Sequence, residues 1–321
     1  MNKKQWLAIS IGLYLTWTGT LAAGYPDRPI RLVISYSAGG PVDIVGRLAG
    51  LKLAETLGQQ VVADNRAGAN GNIATEIVAA STPDGHTLLV GSNGSIAINP
   101  GLYRSLTTDP VRDLAPITLL ASSPLILVSH PTVAATSVNE LIQLVKARPG
   151  GINFASAGSG SSAHLAAELF KSLAGVNLVH IPYKGAAPAL TDLVAGQVQV
   201  MFTGVSATLP YVRSNRLRPL GVTGEKRVAV LPEVPAISES VAGYEVTTWY
   251  GLFAPAKTPA PIIDRLYRTL AAALTTADTR QRLAALGADP VALPPERFAP
   301  LIRQEIAKWG KVVRDAGVRP D

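Results

Sequence analysis

Two glycine- and serine-rich segments, Ser35-Tyr36-Ser37-Ala38-Gly39-Gly40-Pro41-Val42-Asp43 and Ala155-Ser156-Ala157-Gly158-Ser159-Gly160-Ser161-Ser162, each stand between a β-branched run and a helical pattern. In the first, Gly39 and Gly40 permit a sharp turn and a close backbone approach to a ligand. Pro41 suits a first helical position, which leaves the amides of Val42 and Asp43 outside the helical ladder. Free amides at the positive end of a helix favour an anion. In the second, the hydroxyls of Ser156, Ser159 and Ser161 and the amides around Gly158 open the helix that carries His164. Taken singly, each segment also reads as an ordinary capped turn, with Asp43 capping the first helix. Together they describe a cleft with a helix N-terminus on each side, able to hold a carboxylate without an arginine.

Further polar groups follow other strands. Gly91-Ser92-Asn93-Gly94-Ser95 supplies Asn93, and Thr203 comes at the end of a later strand. Asp64-Asn65-Arg66 and Tyr183-Lys184-Gly185 read equally as surface pairs, pairs between lobes or ligand contacts. The expected ligand set is therefore Tyr36, Ser37, Gly39, Gly40, Asp43, Asn93, Ser156, Gly158, Ser159, Ser161, His164, Tyr183 and Thr203.

Catalytic signatures fail on the same residues. No G-x-S-x-G elbow and no G-x-x-x-x-G-K-[ST] loop occurs, and Gly158-Ser159-Gly160 lacks the third glycine of a dinucleotide loop. His86, His130, His164 and His180 form no H-E-x-x-H, so neither a metal nor a cofactor is expected. The competing reading is an exported α/β hydrolase using Ser161 or Ser159 with His164. Two loops turned on one anion do not assemble a nucleophile, a base and an orienting acid.

The chain that must position these loops has 321 residues, 47% hydrophobic and 16% charged, which suits a globular protein of two domains. It has no cysteine, which excludes a disulfide scaffold, a thiolate metal site and a lipid-modified N-terminal cysteine. Its 29 Lys+Arg against 22 Asp+Glu give +7, scattered without a basic run, so no nucleic-acid face is expected.

Residues 1–24 read as a secretory signal peptide: Asn2-Lys3-Lys4, an apolar run over residues 6–17, then Thr20-Leu21-Ala22-Ala23-Gly24. That run is about a dozen residues where a spanning helix wants about 20. A soluble, monomeric mature protein starting near Tyr25 in a periplasm-like space is expected.

Past the leader, the strand Ile30-Arg31-Leu32-Val33-Ile34 leads to a helix over 43–57 with Ile44, Leu48 and Leu51 at helical spacing. A strand at Val61-Val62-Ala63, a helix to residue 80 and a strand over 87–90 follow, entered through the turn Pro83-Asp84-Gly85. The scheme restarts with strands at 125–129, 153–155, 178–181 and 198–202 and helices at 138–147, 161–173 and 186–195. This is repeated β-α-β, hence an α/β protein of two lobes, each a mostly parallel sheet flanked by helices. Helices near 260–275, 279–286 and 295–316 carry no sheet of their own and should return to the first lobe. The division expected is 25–122 and 246–321 for one lobe and 123–245 for the other, with crossings near 120–124 and 243–248. The ligand belongs in the cleft, near the carboxyl ends of strands.

The strings Tyr25-Pro26-Asp27-Arg28-Pro29-Ile30, Gly39-Gly40-Pro41-Val42-Asp43, Asp64-Asn65-Arg66-Ala67-Gly68-Ala69-Asn70-Gly71-Asn72, Pro83-Asp84-Gly85-His86-Thr87-Leu88-Leu89, His164-Leu165, Ile181-Pro182-Tyr183-Lys184-Gly185 and Trp249-Tyr250-Gly251 occur in this order. The combination resembles the Bug family of extracytoplasmic solute-binding proteins associated with tripartite tricarboxylate transporters. The resemblance spans the whole mature chain and implies a Venus-flytrap fold of the periplasmic binding protein type. It implies a small organic carboxylate or acidic amino acid as ligand, held mainly by backbone amides, hydroxyls and waters of two loops, here residues 36–43 and 156–164. It also implies delivery to integral membrane subunits, with presentation to a membrane sensor as the other use of such a fold. Ser35-Tyr36 stands where the family usually has Pro-Phe, Val42 where Thr or Ser is common, and His86 where Tyr is usual. These departures bear on which carboxylate is taken.

Overall fold

A computed structural model of the chain describes residues 24–183 and 185–319; the expected leader, but for Gly24, lies outside the described residues, as does Lys184. The first part of the chain runs β1 (Ile30–Ile34), α1 (Pro41–Leu57), β2 (Val61–Asn65), α2 (Asn72–Ala79), β3 (Thr87–Ser92), α3 (Asn99–Leu102), α4 (Pro110–Asp113) and β4 (Leu114–Ser129). The middle follows as α5 (Val138–Ala147), β5 (Asn153–Ser156), α6 (Ser162–Ala174), β6 (Val179–Pro182), α7 (Ala186–Val194), β7 (Val200–Gly204), α8 (Val205–Arg213) and β8 (Arg218–Val222). The last part is β9 (Thr247–Pro255), α9 (Ala260–Leu274), α10 (Ala277–Ala284), β10 (Asp289–Leu293) and α11 (Pro295–Asp315).

The fold is the two-lobed α/β arrangement of periplasmic binding proteins. The strands order as β2-β1-β3-β9-β4-β7-β5-β6, with β10 and β8 also pairing β4. The sets β2-β1-β3 and β7-β5-β6 are parallel, and antiparallel β9, β4 and β8 extend them. Strand β4 serves both sheets: Pro124 is the last residue to pair with β9, opposite Thr247, and Leu125 is the first to pair with β7, opposite Gly204. Proline has no amide to give a ladder, so the strand changes partners where it stands. The freed Leu125 amide donates to Thr223 Oγ1 at 2.7 Å.

Two expectations are corrected here. The C-terminal part is not purely helical, because it supplies β9, which inserts between β3 and β4, and β10. In α1, Ile44 and Leu51 are exposed, while Val42, Val45, Gly46, Ala49, Gly50 and Leu53 face the core. The two glycines decide this. A Cβ on Gly46 would stand 3.3 Å from Ile34 and Val90, and one on Gly50 3.2 Å from Leu32 and Val61, so the helix lies closer to the sheet than a leucine face would allow.

A buried apolar cluster runs from Val33 and Leu89 of the first sheet, through Phe298, Ile302 and Trp309 of α11, to Phe154 and Phe202 of the second sheet and Phe170 of α6. Helix α11 thus packs against elements of both sheets, and Lys308 donates to Glu245 O at 3.0 Å just before β9. No helix among the described residues is long and apolar enough to cross a membrane.

Candidate functional site

The carboxyl ends of β1, β3 and β5 open into the three loops singled out by their glycines and serines. In loop 1, between β1 and α1, Gly39 holds the left-handed backbone (φ +83°) and Gly40, at φ −81°, is an extended N-cap with no side-chain cap. The residue that requires glycine is therefore Gly39. Asp43 does not cap the amides of its own helix. Its carboxylate reaches back, accepting from Gly39 N–H (2.9 Å), from Arg47 Nε (2.9 and 3.0 Å) and from Asn65 Nδ2 (2.9 Å). Asn65 also donates to Tyr36 O at 2.9 Å, so one carboxylate and one amide fix both ends of the loop. The first intrahelical bond is Ile44 N–H to Gly40 O, and the amides of Val42 and Asp43 precede it.

Burial acts to raise the Asp43 pKa, but hydrogen bonds from Arg47, Gly39 and Asn65 outweigh it and hold the carboxyl below its ordinary value of 3.8. A depressed folded-state pKa contributes stability that is present above the unfolded value and is lost as pH falls through the folded one. Asp43→Asn turns an acceptor into a donor against three donors. It is expected to cost about 1–3 kcal/mol of unfolding free energy near neutrality. The deficit relative to wild type should shrink as pH falls below 3.8, because wild type then loses the same charge. Denaturant unfolding across that range measures both.

Tyr36 links loop 1 to loop 3, the segment Gly91-Ser92-Asn93-Gly94-Ser95 at the end of β3. Its hydroxyl donates to Asn70 Oδ1 (3.0 Å) and accepts from Ser92 Oγ (3.3 Å), and burial pushes it up to about 12. Behind it, Asn70 Nδ2 donates to Asn99 Oδ1 (2.7 Å) and Asn99 Nδ2 to Asn72 Oδ1 (2.6 Å). Sequence reading missed this asparagine network. Its only local signal is Gly68-Ala69-Asn70-Gly71, a run that tolerates the left-handed backbone Asn70 adopts at φ 49°.

Loop 3 meets loop 2, the connection from β5 to α6 over residues 156–161, across the lobes. Asn93, fully buried, accepts at Oδ1 from Ser162 Oγ of α6 (3.3 Å), while its Nδ2 is buried with no hydrogen-bond partner. Nearby, Gly160 of loop 2 lies against Leu102 of α3.

Within loop 2, Ser161 is the N-cap of α6, its Oγ accepting from His164 N–H at 3.2 Å. Leu165 N–H to Ser161 O begins the ladder, so the amides of Ser162 and Ala163 precede it. Ser156 Oγ donates to Gly158 O (3.0 Å) and accepts from Gly158 N–H (3.2 Å). The His164 ring is buried: Nδ1 accepts from Gly160 N–H (3.0 Å) and Nε2 faces Glu168 (3.5 Å). His164 therefore supports the loop from behind and is not placed as a base for Ser161, which removes the geometry that a Ser161–His164 hydrolase needs.

Two expected ligand residues come at the carboxyl ends of the strands on either side of β5, and Tyr183 N–H donates to Ser156 O at 3.1 Å. The Tyr183 hydroxyl donates to Asp192 of α7 at 2.7 Å, and burial, then that carboxylate, push it up to about 12. Thr203 is buried in β7 opposite Ile126. Tyr36, Ser37, Gly39, Gly40, Asp43 and Asn93 gather at one lobe's strand ends, Ser156, Gly158, Ser159 and Ser161 at the other's.

Comparison with known proteins gives the same picture. The family described as tripartite tricarboxylate transporter family receptor matches residues 45–318. Protein BugT of Bordetella pertussis is 36% identical over 325 residues, covering 99% of each chain. Among solved structures, the R. palustris protein Rpa4515 with adipate aligns at a TM-score of 0.84 with 37% identity, over 92% of this chain and 100% of that one. MatC of Rhodopseudomonas palustris with bound malate aligns at 0.79 with 34% identity, over 90% and 100%.

Proposed function

Because the chain belongs to the tripartite tricarboxylate transporter family of receptors, solute-binding proteins and not enzymes, we propose that it holds a small dicarboxylate of the adipate or malate type at the seam of its three loops. In this reading residues 25–122 with 246–321 form one lobe and 123–245 the other. One carboxylate of the ligand takes the amides of Val42 and Asp43, and the other takes those of Ser162 and Ala163. Helices of 17 and 13 residues supply the positive ends.

The observation that carries the reading is the unpartnered Asn93 Nδ2. A buried donor left without an acceptor costs about 1–3 kcal/mol. This one lies where the two lobes touch, so an acceptor from a ligand completes it. Receptors of this family are periplasmic, and a leader cleaved between Ala23 and Tyr25 agrees with that. Delivery goes to the integral subunits of such a transporter, and the receptor acts as a monomer.

The test is native mass spectrometry of the purified protein, then thermal unfolding with adipate, malate, citrate, aspartate and glutamate. A ligand present at a thousand times its Kd adds about 4 kcal/mol and raises Tm by several degrees. Retention of a neutral solute with no shift from any of the five acids would refute the carboxylate.

A further inference from the structure

Loop 2 is held from behind by an aromatic stack that composition and spacing gave no hint of. The His164 ring of α6 lies parallel to the His180 ring of β6, centroids 3.7 Å apart and planes 16° from parallel. His180 in turn stacks on Phe154 of β5 at 4.8 Å and 21°, and Lys171 Nζ stands 5.7 Å above the Phe154 ring. Two elements flanking the loop are thereby joined through two imidazoles, and each imidazole reaches a different point of the loop.

The hydrogen bond from Gly160 fixes the proton on the His164 ring, and the contacts of Ser156 point to the one on His180. Gly160 N–H donates to His164 Nδ1, so that nitrogen carries a lone pair and the ring proton sits on Nε2, facing Glu168. Ser156 Oγ has one proton and contacts both Gly158 O (3.0 Å) and His180 Nε2 (2.7 Å). For both contacts to be hydrogen bonds, the hydroxyl donates to Gly158 O and His180 Nε2–H donates to Ser156 Oγ. Both rings are then Nε2–H tautomers. His164 locks the amide of Gly160 directly; His180 locks Gly158 through Ser156.

We propose that His164 and His180 are positioning residues, a stacked pair whose tautomers set the direction of the loop 2 backbone that receives the ligand. The stack is read from the chain's own side chains; only its consequence for affinity rests on the function proposed above. The pair gives loop 2 what Asp43 and Asn65 give loop 1. A flexible glycine loop would otherwise spend binding energy on being ordered.

The tautomers dictate a crossed pattern of substitution. Asn places an oxygen where His has Nδ1, whereas Gln places an amide where His has Nε2. His164→Asn therefore keeps the acceptor for Gly160, and His164→Gln and His164→Leu lose it. At position 180 the order reverses: His180→Gln keeps the donor to Ser156, and His180→Asn and His180→Leu lose it.

The experiment has a ligand-free arm and a binding arm. Two-bond proton–nitrogen NMR of wild type at neutral pH reads both tautomers, the chain's four histidines being assigned by substitution, and hydrogen exchange reads the Gly158 and Gly160 amides in all six variants. Both rings should be Nε2–H, with protection of Gly160 kept in His164→Asn and of Gly158 kept in His180→Gln. Calorimetry with malate and with adipate should show the two conservative variants within about threefold of wild type and the other four weaker by about tenfold or more, the scale of one lost hydrogen bond. An Nδ1–H proton on either ring overturns the proposal, as does equal behaviour of Asn and Gln at both positions. Should wild type bind neither acid, the choice of ligand fails while the tautomers and amide protection still decide the positioning role.

Discussion

Asn93→Asp is expected to abolish carboxylate binding and leave the fold standing. The substitution is isosteric and keeps the oxygen that accepts from Ser162 Oγ, so the bond between the lobes remains available. What changes is the other arm of the side chain, where a donor without a partner becomes a second oxygen carrying charge. Losing a hydrogen bond to a charged ligand costs about 1.5–3 kcal/mol. A carboxylate about 4 Å from a ligand carboxylate adds about 4 kcal/mol of repulsion at an effective dielectric constant near 20. The sum corresponds to an affinity loss of about four to five orders of magnitude, beyond calorimetric detection for a micromolar ligand. Asn93→Ala removes the donor without the repulsion and should lose only about 10–100-fold. Titration of both variants with whichever acid stabilises wild type, beside their circular dichroism, provides the measurement. Wild-type affinity in Asn93→Asp would show that the ligand does not meet Asn93.

The loops were legible because their chemistry is local. Glycine, serine and proline between a strand and a helix determine a turn, and that turn sits at a strand's carboxyl end whatever surrounds it. The repeated β-α-β order was legible for the same reason, as each element carries its own period. The burial of α1 was not, because its contact face is set by Gly46 and Gly50, whose small size matters only against Ile34, Val90, Leu32 and Val61. Strand β4 was half missed: Pro116 and Pro124 interrupt its pattern, yet both lie in a ladder whose partner β9 comes more than a hundred residues later. Shorter separations, 29 and 27 residues in the asparagine network, were enough to hide it and the histidine stack. Their members, Asn70, Asn72 and Asn99, and His164 and His180, are ordinary polar residues until topology brings them together. The His164 ring meets Gly160 N–H and faces Glu168, a direction that spacing does not give, since it places a residue near a helix start without saying which way its ring turns.

Gly160→Ala tests whether the contact between loop 2 and α3 belongs to the ligand-bound state. Gly160 has φ +74°, and a Cβ there would stand 2.2 Å from Leu102 Cδ2, 3.2 Å from Cδ1 and 3.3 Å from Cγ. Leu102 Cδ2 would have to move, and Leu102 is itself buried at 4% exposure against the cluster that includes Ile98 and Trp309. With the leucine held in that cluster, separation of the lobes is the expected way for the methyl to fit. A left-handed alanine costs about 1–2 kcal/mol of its own, but that strain is present whether the lobes are together or apart and lowers stability without changing affinity. The steric part acts only when the lobes meet, and a ligand touching both loops has to work against it. We expect the affinity of Gly160→Ala to fall about 100-fold, which is about 2.7 kcal/mol, and small-angle scattering to show the separated form even at ligand concentrations that saturate wild type. Adding Leu102→Ala should restore much of the affinity but none of the stability, since it removes the obstacle and leaves the backbone strain. A double-mutant cycle on Kd then isolates the contact energy. Additive losses in that cycle, or a Gly160→Ala protein that binds and compacts as wild type does, would mean that loop 2 stays clear of α3 when ligand is held and that closure follows another path.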